Sequence, residues 1–116
     1  MSKLALFAFN GEMACFAHAL LNALDLHGQG HLVRLVVEGT AAKLAGHFGG
    51  GYGPHGGLFD QVRLQGLLAG VCRACAAKAA SLDEAERLGL PIQEDMSGHA
   101  GMAPFIEQGY SIITFA

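Results

Sequence analysis

At 116 residues and a net charge of −3, the chain has the length of one ordinary domain, and its seven Lys and Arg are scattered rather than gathered into the basic face that nucleic acid requires. Hydrophobic residues make up 52% against 15% charged, yet no apolar run approaches the roughly 18 residues of a membrane-spanning helix. Such a balance leaves little polar surface to cover a small sphere, and predicts a homo-oligomer in which another copy covers part of it.

The first apolar run, residues 3–9, meets Asn10-Gly11-Glu12 early and lacks a small-x-small cleavage site, so it reads as a buried strand rather than a secretory leader. Three cysteines, an odd number, then fit a reducing cytoplasm. Met13, Phe16, Ala17, Leu20, Leu21 and Leu24 follow at the spacing of one helical face, with Asn10 to cap the start and Gly28 to end it. Residues 32–37 form the second strand. A short helix is expected over 40–46, and the glycine-rich stretch 48–57 must be a loop, because so many glycines cannot hold regular structure; it lacks the P-loop lysine, so it is not read as a phosphate-binding loop. Residues 58–65 have helical spacing again, up to Gly66.

The second half repeats the scheme. Residues 67–72 are the third strand, and Ser81-Leu82-Asp83-Glu84 has the form of a capping box for a helix ending at Gly89. Pro91-Ile92 belongs to a short fourth strand, placed at an edge because proline cannot donate to a ladder. Pro104 confines the last helix to a start no earlier than about residue 100. Residues 110–115 close the sheet. Strands alternating with helices predict a single domain over 1–116 of the α/β class, a three-layer α/β/α sandwich around a mainly parallel five-stranded sheet.

Open parallel sheets place ligand crevices beyond the carboxyl ends of their strands. Cys72 stands at the end of the third strand, Cys75 in the turn expected after it, and Cys15 in the first turns of the helix after the first strand. If those strands are close, the three thiols share one crevice. Arg73 and Lys78 add cationic neighbours, which favours a thiolate at Cys72 or Cys75 near neutral pH. His99, in the loop after the fourth strand, reaches the same edge as a proton donor or a ligand. Glu38, after the second strand, is another edge residue that can also neutralise a helix start. His18, His27, His31, His47 and His55 show no metal spacing.

The run Phe9-Asn10-Gly11 with Met13-Ala14-Cys15-Phe16, the segment Gly70-Val71-Cys72-Arg73-Ala74-Cys75, the segment Asp95-Met96-Ser97-Gly98-His99 and the ending from Gly109-Tyr110 to Phe115 resemble the DsrE/DsrF-like family, in its small uncharacterised branch. The resemblance spans nearly the whole chain outside 48–57. It implies a compact α/β sandwich, assembly into trimers or hexamers, and a persulfide carried on a cysteine after the third strand, the place held here by Cys72 or Cys75. The second cysteine departs from the single-carrier pattern.

Three functions remain open on the sequence. One is a sulfur carrier or sulfurtransferase-like protein working between donor and acceptor proteins, with Cys72 and Cys75 catalytic and no cofactor required. Another is a zinc domain with Cys15, Cys72, Cys75 and His99 as ligands. The third is an oligomeric module that binds a small ligand and in which the thiols are incidental.

Overall fold

A computed structural model describes residues 1–44 and 56–116. The expected end of the 40–46 helix and most of the glycine-rich loop 48–57 lie outside the described residues. The chain is an α/β protein with a five-stranded, all-parallel sheet. Its strands are β1 (Lys3–Ala8), β2 (Leu32–Val37), β3 (Leu68–Cys72), β4 (Ile92–Gln93) and β5 (Ser111–Phe115), in the order β4-β3-β2-β1-β5. The helices are α1 (Met13–Gly28), α2 (Gly56–Leu64), α3 (Arg73–Lys78), α4 (Leu82–Arg87) and α5 (Ala103–Glu107), with a 3₁₀ turn at Gly39–Ala41.

The strand order decides where the helices go. From β1 to β4 the chain steps three times in one direction, and a fixed crossover hand puts the helices of all three steps on one face. The return from β4 to β5 runs the other way and carries α5 to the opposite face. Leu6, Leu35 and Val71 accordingly pack with Phe16 and Leu20 of α1, Phe59 and Val62 of α2, Ala76 of α3 and Ala85 of α4. On the other face Ala5, Phe7, Val36, Ala69 and Cys72 meet Ala100 and Phe105. Three layers result, the second helical layer being a five-residue helix and its approach loop.

Local chemistry accounts for three departures from the sequence reading. Residues 73–78 are helical, not a turn, since Arg-Ala-Cys-Ala-Ala-Lys is rich in the best helix former, and Ala80 at φ 58° ends the run. Asn10 does not cap α1: its Oδ1 accepts the Glu12 N–H at 2.8 Å, and Glu12 is the N-cap residue. Ser81 precedes α4 without forming the capping box. Its buried hydroxyl instead donates to the Ala42 carbonyl at 3.0 Å, tying α4 to the segment after β2, while Glu84 pairs with Arg87. Pro104 stands in the first turn of α5, where a missing N–H costs nothing.

Candidate functional site

The carboxyl end of β3 carries the reactive groups. Cys72 is the last residue of β3 and fully buried in the thinner core; it directly precedes α3, whose first turn holds Cys75. Cys75 is half-buried and touches both clusters. His99 approaches from the segment between β4 and α5, with Nδ1 3.6 Å from the Cys72 sulfur and 3.9 Å from that of Cys75. The three donor atoms all lie within 4.8 Å of one another.

A tight turn sets this approach. Met96 and His99 exchange backbone hydrogen bonds at 2.9 Å each way, and the two residues between them, Ser97 and Gly98, have φ of 51° and 88°. Two successive positive φ values are those of a type I′ turn, which glycine adopts at no steric cost. The Ala74 N–H donates to the Gly98 carbonyl at 2.9 Å, fastening the turn to α3, and the Ala100 N–H donates to the Cys72 sulfur at 3.4 Å. Gly101 is required for a different reason: a Cβ there would lie 2.5 Å from Asp95 Oδ2, the carboxyl whose other oxygen accepts the Gly101 N–H.

Charge around the thiols differs from the expectation of a lowered pKa. Burial pushes the Cys75 thiol up, and the adjacent Cys72 thiol and the Glu38 carboxylate push the same way, partly offset by the Gly39 backbone N–H. Arg73 does not compensate, because its guanidinium is exposed and reaches Glu94 at 3.5 Å. Glu38 follows β2 where the Val37–Val71 register sets it beside Cys72. Burial raises its carboxyl too, and its Oε2 is enclosed with no hydrogen-bond partner among the described residues.

Beside Cys75 opens a pocket of about 390 Å³. Ala74, Cys75, Lys78 and Ala79 of α3 and its end form one wall, Gly39, Thr40 and Lys43 the other, and His99 stands at its edge. The structure thus brings together Cys72, Cys75 and His99, and adds Lys78 at the pocket. Cys15 is not in the cluster. It belongs to α1, which follows β1, and β2 lies between β1 and β3, a separation of roughly 10 Å across two strand spacings. The four-donor set considered from the sequence therefore reduces to three. Thr40 and Lys43 gave no motif; their place at the pocket depends on the 3₁₀ turn folding back over the strand end.

No family model matches the chain, and no solved structure matches it. It is similar to the uncharacterized protein MJ0733 of Methanocaldococcus jannaschii, 29% identical over 102 residues that cover 88% of this chain and 81% of that protein. A shorter similarity joins it to an uncharacterized protein of Archaeoglobus fulgidus, 38% identical over 42 residues, 36% of this chain and 69% of that one. Neither relative's name carries an activity, so the functional reading rests on the site.

Proposed function

We propose that the protein is a sulfur carrier that holds sulfane sulfur as a persulfide on Cys75. The observation that carries the reading is the division of labour at the end of β3: Cys75 opens onto a pocket, while Cys72 and His99 stand within 4.8 Å behind it. An open pocket at the sulfur suits a group that must be loaded and unloaded. Because burial raises the Cys75 thiol, the proton needs an acceptor, and the His99 imidazole is within reach. Transfer from a donor persulfide R–S–SH is then balanced. Cys75 sulfur attacks the outer sulfur, the new S–S bond forms as the donor's breaks, and R–S⁻ leaves with the proton that His99 held. The DsrE/DsrF-like resemblance supports the same reading, and with it a homo-oligomer in the cytoplasm served by donor and acceptor proteins. Leu64 and Ile106, 79% and 59% exposed, are apolar surface that such an assembly would cover.

Loading is measured by mass spectrometry after exposure of the reduced protein to an organic persulfide. The expected result is one added sulfur atom on the Cys75 peptide, removed by dithiothreitol and absent in Cys75→Ser. Sulfur appearing only on Cys15 would defeat the proposal.

A second reading has an observation of its own. Around a tetrahedral zinc ion, with Zn–S of about 2.3 Å and Zn–N of about 2.0–2.1 Å, neighbouring donors sit about 3.6 Å (S to N) and 3.8 Å (S to S) apart. The two S to N separations of 3.6 and 3.9 Å are close to the first value. Three protein donors and a pocket beside them would leave a fourth position for a small molecule. Stoichiometric zinc that survives dialysis and is lost in His99→Ala would favour this reading over the carrier.

A further inference from the structure

We infer that the protein also discharges its sulfur as hydrogen sulfide: the Cys72 thiol attacks the Cys75 persulfide and leaves an intramolecular Cys72–Cys75 disulfide behind. The inference rests on the carrier reading and gives Cys72 the role which that reading leaves empty. The two sulfurs lie within 4.8 Å of each other. Cys72 is the N-cap residue of α3 and Cys75 stands in its first turn. Helical winding sets two such Cα atoms about 5 Å apart, inside the roughly 4.4–6.8 Å over which a disulfide closes without backbone movement. Burial decides which sulfur is attacked. Cys75 lines the pocket, whereas Cys72 is 0% exposed, packs with Phe7, Val36 and Ala100, and is not one of the described residues that line it. The outer sulfur of a Cys75 persulfide therefore has space on the pocket side, and Cys72 meets the inner sulfur from the core side. Moving the outer atom onto Cys72 would instead force an added sulfur into a close-packed interior.

The step balances. His99, whose Nδ1 is 3.6 Å from the Cys72 sulfur, takes the Cys72 proton. The bond between the Cys72 and Cys75 sulfurs forms as the bond from Cys75 to the outer sulfur breaks, and the electron pair of the broken bond leaves with HS⁻. The proton held by His99 then makes H₂S. The Cys72 sulfur is oxidised as the outer sulfur is reduced to sulfide, so no outside oxidant enters. A dithiol reductant returns the pair to thiols for the next cycle.

In the test, reduced protein is loaded with an organic persulfide, freed of small molecules and alkylated at successive times for mass spectrometry, while released sulfide is trapped with monobromobimane. In the parent, the sulfur first seen on Cys75 is expected to disappear at a rate independent of protein concentration. Sulfide should appear one for one with chains that are lighter by two hydrogens and joined from Cys72 to Cys75. Cys72→Ser and Cys72→Ala should hold the persulfide at least roughly tenfold longer, since release must then wait for a collision between chains. A persulfide equally long-lived in parent and variants, or sulfide release that leaves Cys72 reduced, would overturn the inference. Because a change at a buried position can disturb folding, the reverse reaction gives a second reading in the parent chain. Its Cys72–Cys75 disulfide, formed with diamide, is exposed to sodium sulfide. Sulfur left on Cys75 with Cys72 as the free thiol upholds the step. Sulfur left on Cys72, a disulfide that sulfide does not open, or a chain in which diamide forms no such bond refutes it. If the organic persulfide never loads Cys75 the carrier reading fails by itself, and the sulfide reaction still decides the step.

Discussion

The two faces of the sheet are built very differently. One is covered by α1, α2, α3 and α4 over a continuous aliphatic core, and the other by α5, the residues leading into it and a few aromatic contacts such as Phe7 edge-on to Phe105 at 5.6 Å. Strand order produces this asymmetry, since three crossovers run one way and one returns. The comparison teaches where stability and chemistry separate. The thick face supplies most of the buried apolar area, while the thin face leaves the end of β3 covered by the turn that carries His99.

The largest effect that can break this contrast is a cavity in each layer. Phe59 is fully buried on the thick face, where its ring lies 6.2 Å from that of Phe16, and Phe59→Ala should cost about 4 kcal/mol in denaturant unfolding. Phe105 is 7% exposed at the rim of the thin face, and Phe105→Ala should cost nearer 2–3 kcal/mol, because water can enter the space left. Equal losses would mean that the faces share one cooperative core and that the asymmetry is only geometric.

How far these features were legible in the sequence follows the range of the forces involved. Strand positions came from apolar runs such as Leu32 to Val37, and the edge place of β4 from Pro91, because both signals act within a few residues. The Cys72 and His99 pairing needed only the assumption that loops after parallel strands share an edge. Cys15 needed strand order, which periodicity does not encode, and β2 intervenes. Ser81 offered a local capping pattern that lost to a carbonyl from 39 residues away. Glu38 could be placed at the sheet edge from its position after the second strand, but that it faces the thiols depends on the β2–β3 register.

A change of smaller size sharpens the contrast at the site itself. Glu38 has a folded-state pKa raised by burial, so the folded protein holds that proton more tightly than the unfolded chain does. The stability this contributes is present below the unfolded carboxyl value and is lost as pH rises through the raised one. Glu38→Gln should therefore leave stability near pH 4 close to that of the parent and raise the melting temperature at pH 7. Its charge also helps hold the Cys75 thiol up, so in metal-free protein the pH midpoint for alkylation of Cys75 should move down in the same variant. A midpoint that stays in place would remove Glu38 from the electrostatics of the site.

The smallest effect is expected at Cys15, and its smallness is informative. The residue is half-buried on α1, two strands away from Cys72 in the sheet, so Cys15→Ala trades a small thiol for a methyl group in a helix that favours alanine. Unfolding free energy should change by less than about 0.5 kcal/mol, and the rate of sulfur loading on Cys75 should not change. A loading rate that falls severalfold would mean that a Cys15 thiol takes part in the transfer although it lies outside the cluster of Cys72, Cys75 and His99. If that thiol comes from another copy, mixtures of Cys15→Ala and Cys75→Ser chains would load at a concentration-dependent rate.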